Sequence, residues 1–128
     1  NCLPGVDKMR VIVSAVFKDF EGRILLARRK ADNKYTTPGG KVEDNESLIE
    51  ALKRETLEES GIKIDSCKMM EQVECKNKLI MCYEITGYRG EPRHKEPEKH
   101  GPWNWLHAAD VQSELTEGLV ILHGLGKI

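Results

Sequence analysis

Hydrophobic runs of membrane-crossing length are missing from this chain. The most apolar stretch, Met9 to Lys18 (MRVIVSAVFK), is about half of the ~20 residues that a spanning helix needs, so no membrane partner is expected. The opening residues, Asn1-Cys2-Leu3-Pro4, do not read as a signal peptide, and they lack an initiator Met, as a trimmed or incomplete N-terminus would. An excess of one charge is also missing. Lys and Arg number 20 and Asp and Glu 21, for a formal net charge of −1 at pH 7, with no basic block, which argues against duplex nucleic acid or an anionic surface as the main partner. The four cysteines, Cys2, Cys67, Cys75 and Cys82, include no CxxC pair and no zinc-ligand spacing, and no secretory cue accompanies them. They are expected to be free thiols in a reducing, cytoplasmic setting. The histidines, His94, His100, His107 and His123, lack HxxxH spacing and are expected at the surface or internally satisfied. No repeat or low-complexity tract is visible, and 128 residues make one domain, 1–128.

What is present is a series of short strands around one well-signalled helix. Met9 to Lys18 predicts a strand buried on both faces, paired through Asp19-Phe20-Glu21-Gly22 with a second strand, Arg23 to Arg28. A polar loop, Ala31 to Thr37, leads to Pro38-Gly39-Gly40, where the glycines permit positive φ and close backbone approach. Lys63-Ile64 starts a short strand. Lys68 to Cys75 and Lys78 to Tyr88 predict two more, joined by a hairpin-like turn near Lys76-Asn77. Gly90 to Pro102, with three prolines and no apolar residue, predicts a surface loop. Trp103 to Leu106 resumes strand character with both indoles on one face, in the core or a pocket wall. Ala108 to Gly124 reads as a helix or a pair of helical turns, burying Leu115, Leu119, Val120 and Leu122.

Pro38 to Ile62 (PGGKVEDNESLIEALKRETLEESGI) organises the rest. Ser47 with Glu50 three residues on forms a capping box, and Gly61 supplies a stop, so a helix runs from about Ser47 to Ser60. At roughly 100° per residue, Glu55, Glu58 and Glu59 lie on the same side as Leu48, Ala51 and Leu52. The apolar stripe therefore runs into carboxylates. Like charges three and four apart repel, and acidic groups in the last turns sit at the negative end of the helix dipole. A solvated Glu-rich face is one explanation. A divalent cation that offsets both costs is the other, and Mg2+ suits oxygen ligands completed by waters and substrate phosphates.

Gly40, five residues, Glu46, seven residues, Arg54-Glu55, then Glu58-Glu59 and Gly61-Ile62 resemble the Nudix box, G-x5-E-x7-R-E-U-x-E-E-x-G-U, in which U is a bulky aliphatic residue. At roughly 7% usage per residue type, the seven fixed positions coincide by chance on the order of once in 10⁸ windows. Thr56 stands where an aliphatic residue is asked for. Over nearly the whole chain the order of elements resembles the short MutT-like branch of the Nudix hydrolases, which implies an α/β (α+β) fold with a mixed β-sheet sandwiched between helices.

That resemblance implies a magnesium-dependent, or manganese-dependent, hydrolase that cleaves nucleoside triphosphates, standard or oxidised, to monophosphate and pyrophosphate. It implies Gly39 (through its carbonyl), Glu55, Glu58 and Glu59 as metal ligands, with Glu55 also as base or water-orienting group. Arg54 is expected to hold Glu55, and Glu46 to support the loop. A further acidic ligand is expected from the loop before the last strand, Glu98 or alternatively Glu96. Arg29, Tyr35, Thr37 and Lys41 are the expected substrate contacts, Arg29 through phosphate. Tyr35, Thr36 and Thr37 occupy a stretch where relatives often place a bulky apolar base-pocket residue. Thr116 stands near where an enzyme for oxidised guanine would carry Asn, and these departures weigh against 8-oxo-dGTP. The partner is a small nucleotide and the unit a monomer or homodimer. Another diphosphate-linked substrate, such as ADP-ribose or a dinucleoside polyphosphate, and a noncatalytic nucleotide sensor are the alternatives.

Overall fold

The computed structural model describes residues 10–128. Met9, the expected first residue of the opening strand, and Cys2 lie outside them. The strands are β1 (Arg10–Val16), β2 (Ile24–Arg28), β3 (Tyr35–Thr36), β4 (Gly39–Lys41), β5 (Lys63–Cys75), β6 (Lys78–Arg89) and β7 (Asn104–Leu106). The helices are α1 (Leu48–Ser60) and α2 (Glu117–Gly124), with a 3₁₀ segment, Ala108–Glu114, ahead of α2. A mixed sheet in the order β4-β1-β6-β5 lies between α1 and α2, beside an antiparallel sheet in the order β3-β2-β7. The expected mixed sheet between helices is therefore present. No described helix is long and apolar enough to cross a membrane.

The expected pairing of β1 with β2 is corrected. Beyond the bridge Lys18↔Ile24, with its two bonds from Leu25 N–H to the Phe17 carbonyl (3.3 Å) and from Asp19 N–H to the Arg23 carbonyl (2.9 Å), the two strands belong to different sheets. Both edges of β1 are occupied, by β4 antiparallel and β6 parallel, so the chain after the Asp19–Gly22 turn must start a second layer.

β1 serves both faces of its sheet, as a continuous apolar run should. Val13, Ala15 and Phe17 pack with Ala51 and Leu52 of α1, whereas Val16 packs with Leu119 and Leu122 of α2. Trp103 and Trp105 both pack on the α1 side, the shared face expected of them. Val120, expected in the stripe of α2, is instead 46% exposed.

β5 is one strand rather than two pieces. Its register slips at Ile64/Ser66, Ser66/Cys67 and Met69/Glu71, and such bulges break the alternation by which a strand is read. It turns into β6 through Lys76 and Asn77, both at positive φ (48° and 60°), the conformation of a two-residue type I′ hairpin. Cys67, Cys75 and Cys82 are free thiols.

α1 begins and ends where its signals lie. Ser47 Oγ accepts from Glu50 N–H (3.0 Å), Glu50 Oε1 accepts from Ser47 N–H (2.9 Å), and Gly61 closes the helix at φ 78°. Thr56 is fully buried, and its hydroxyl has no hydrogen-bond partner. Thr56→Val removes an unsatisfied buried hydroxyl at nearly constant volume. It should raise stability by about 1 kcal/mol, read as a higher denaturant midpoint at unchanged slope; a lower midpoint would show that the hydroxyl is satisfied.

Candidate active site

The site forms where the glycine turn, the C-terminal half of α1 and the 90–102 loop meet. β4 pairs with β1 so that Gly39 lies opposite Ser14 and Gly40 opposite Val13. The Pro38 carbonyl accepts from Ala15 N–H (2.8 Å), and the Ser14 and Thr37 hydroxyls share a bond of 2.6 Å. This pairing brings the turn close against α1. A Cβ on Gly40 would come within 2.5 Å of the Glu55 carboxylate, and Gly39 N–H donates to Glu59 Oε1 (3.0 Å). Two of the acidic side chains are thus seated in a cradle that only glycine leaves open.

Arg54 fastens the cradle. Its Nε donates to Glu46 Oε2 (2.6 Å) and its Nη2 to Glu46 Oε1 (3.0 Å) and to the Lys41 carbonyl (3.1 Å), while Nη1 reaches Glu55 (3.3 Å) and Glu58 (3.4 Å). The paired guanidinium holds the Glu46 carboxyl below its ordinary range. Arg54 thus links Glu46 and the Lys41 carbonyl to the carboxylates of Glu55 and Glu58.

The 90–102 loop closes the far end of α1. Arg93 N–H donates to the Ser60 carbonyl (2.8 Å) and Trp103 Nε1–H to the Glu59 carbonyl (3.2 Å), satisfying helix-end acceptors. The same loop brings in a carboxylate, and of the two expected candidates Glu96 is the one placed near the acidic strip. Glu98 is exposed. Glu96 is half-buried, its charge acts on Glu59, and its Oε1 lies 3.5 Å from Lys99 Nζ yet makes no hydrogen bond. The turn over residues 97–99 points the two glutamates differently, which spacing could not reveal.

Burial governs the electrostatics. It pushes the Glu59 carboxyl up to about 8, with the Glu55 and Glu96 charges adding and the Gly39 N–H opposing. Burial also raises Glu55, against the pull of Arg54. These desolvated carboxylates, with a buried oxygen on Glu96 that makes no hydrogen bond, form a hard-oxygen donor set only partly offset by Arg54 and Lys99, and a divalent cation fits that chemistry. Among the described residues no three acidic, His or Cys side chains converge into a cage. Arg54 and the Gly39 amide hold the carboxylates spread along the strip instead.

A cavity of about 460 Å³ opens beside this strip, with Gly39, Gly40 and Glu59 at one end. Of the expected substrate contacts, Arg29 and Thr37 line it. Arg29 also bonds Asp32 (3.1 Å from Nε), which raises the guanidinium pKa. Tyr35 and Lys41 lie elsewhere. The Tyr35 ring lies under the Arg28 guanidinium, 4.3 Å from it, on the other side of β3, and Lys41 is exposed. Alternation alone would put Tyr35 and Thr37 on one face, but β3 ends at Thr36, so the two side chains part where the strand stops.

Trp103 lines the cavity, a pocket wall being one of the two places expected for it, and Ser14, Lys99 and His100 line it without having been expected there. Ser14 had a signal, as the one polar residue inside VIVSAVF. His100 corrects the expectation of a surface or satisfied histidine: it is 4% exposed, its Nδ1–H donates to the Gly101 carbonyl (2.7 Å), and its Nε2 is buried without a partner.

Residues 8–121 match the family model for the NUDIX domain. The chain is 31% identical to an "8-oxo-dGTP diphosphatase" from Haemophilus influenzae over 129 aligned residues, 94% of each chain. It is 27% identical to the Escherichia coli protein of that description, over 84% of this chain and 86% of that one. Among solved structures, a MutT NUDIX hydrolase from Burkholderia pseudomallei superposes with a TM-score of 0.79 at 30% identity, covering 89% of this chain and 95% of the other.

Proposed function

The chain belongs to the Nudix family, and from that premise we propose that it hydrolyses nucleoside triphosphates, oxidised or standard, to monophosphate and pyrophosphate with Mg2+ or Mn2+ as the metal. One observation carries the reading: the acidic strip of α1 is locked around Gly39-Gly40 at the end of a cavity whose volume suits one nucleotide. The relatives described as 8-oxo-dGTP diphosphatases support a role in clearing damaged nucleotides from the pool.

Glu55, Glu58, Glu59 and Glu96, with the Gly39 carbonyl, would hold the cation, which when bound polarises phosphate oxygens and activates water. The chain's own part is positioning and charge. Glu55, with its carboxyl raised by burial, orients and deprotonates the attacking water, because a base with elevated pKa is better matched to neutral pH. Arg54 keeps Glu55 beside the glycine turn. Arg29 and Lys99 on the cavity wall face the anionic oxygens, and Arg29 gives up part of its contact with Asp32 to do so. Water attack on phosphorus breaks one anhydride bond, and the pyrophosphate or monophosphate oxygen leaves with the charge.

A panel of nucleoside triphosphates, including 8-oxo-dGTP, with product identification and with Mg2+, Mn2+ or chelator, tests this reading. Turnover should need the metal, and Glu58→Gln should lower kcat by about 10²-fold or more. A variant rate within a few-fold of the parent would show that the acidic strip is not the metal site.

A further inference from the structure

The cavity floor has a chemical gradient along it. β1 and β6 are parallel and in register, so that Ser14 lies beside Cys82, Ile12 beside Ile80 and Arg10 beside Lys78. All six line the cavity, as alternation along two paired strands requires. From the glycine turn outward the rungs are therefore small, then apolar, then doubly cationic. Four residues at ~3.3 Å each place the cationic rung about 13 Å from Ser14, and hence from Gly39 opposite it.

Two like charges side by side on paired strands are unfavourable, and no described residue of the cavity wall relieves them. Among the described residues its three carboxylates are Glu59 at the opposite end, Asp32, which pairs with Arg29, and Glu117, which pairs with Lys76 (3.4 Å). An anion carried by the ligand would relieve the pair.

We propose that Arg10 and Lys78 form a second phosphate subsite, so that the favoured ligand is a nucleotide bearing another phosphate on its ribose 3′ oxygen, remote from the chain that is cleaved. This rests on the reading of the cavity as a nucleotide site. A 3′ monoester and the phosphodiester of a following nucleotide share this chemistry.

Calorimetric binding in Mg2+ buffer tests it without turnover, so a failure here is separate from a failure of the hydrolase reading. The probes are guanosine 5′-monophosphate, guanosine 3′,5′-bisphosphate and a 5′-phosphorylated guanosine dinucleotide. The bisphosphate, the dinucleotide or both should bind about tenfold tighter than the monophosphate, with a steeper loss in salt. Which of the two does so identifies the source of the phosphate. In Arg10→Gln/Lys78→Gln the preference should fall to about one. Equal affinities in the parent protein, or a preference that survives in the double variant, would overturn the proposal. Single Arg10→Gln and Lys78→Gln variants, each expected to lose part of the preference, serve if the double variant does not fold.

Discussion

Glu59→Gln is expected to lower kcat by about 10²–10³-fold and, in the same protein, to raise metal-free stability at pH 8. On the proposed function, the first effect follows from losing an anionic metal ligand. The second follows from burial, which holds the Glu59 carboxyl at about 8 against an ordinary 4.5. In the metal-free protein the folded state retains a proton that the unfolded chain has released. Stability therefore falls as pH rises from about 4.5 to about 8, then levels. Gln stays neutral throughout and keeps an oxygen for the Gly39 amide. The variant should match the parent near pH 4.5 and exceed it at pH 8 by an amount on the order of a few kcal/mol. Mg2+ should narrow the gap by stabilising the parent more. Denaturant midpoints in chelator at both pH values decide the matter: a variant less stable at pH 8, or equally advantaged at both pH values, would mean that Glu59 is not a buried, uncompensated acid.

Gly39→Ala is expected to damage the fold itself, and Gly40→Ala only the chemistry. Gly39 sits at φ 151°, and a Cβ there would come 2.0 Å from the Val13 carbonyl oxygen and 3.0 Å from Ser14 Cα. Both obstacles are backbone in the adjacent strand, so the β1–β4 register must shift, and the Gly39 N–H bond to Glu59 goes with it. A loss of about 3 kcal/mol or more is expected, with activity falling below detection. At Gly40 the obstacle is the Glu55 carboxylate, 2.5 Å away, the end of a flexible side chain that can swing aside. Gly40→Ala should keep its melting temperature within a few degrees while losing turnover. Equal melting temperatures for the two variants would contradict this account of the turn.

The helix and its chemistry were legible because their determinants are local. Ser47, Glu50 and Gly61 each act within one turn, so α1 and its caps could be placed from spacing alone. The Gly40-to-Ile62 pattern marks the family for the same reason: a glycine turn and carboxylates at fixed intervals on a single helix. The separation of β1 from β2 was not legible, because a buried apolar run does not disclose which strands will take its two edges. Nor was the burial of Glu96 beside exposed Glu98, which a turn in a prolyl loop makes, or the turning of Tyr35 away from the cavity that Thr37 lines. Thr56 could be seen as an aliphatic position filled by a hydroxyl, but only packing shows that the hydroxyl has no partner.

Order along the chain alone placed the carboxylates of Glu55, Glu58 and Glu59 together on one helix, because neighbours three and four residues apart cannot avoid one another there. The electrostatic state of those groups was decided only when distant segments closed over them. Glu59 becomes a weak acid because the glycine turn and the 90–102 loop exclude water around it. Arg10 and Lys78, remote in sequence, become one cationic rung because two parallel strands place them side by side. Solvation and cross-strand proximity depend on what folds against what, and no local pattern encodes them.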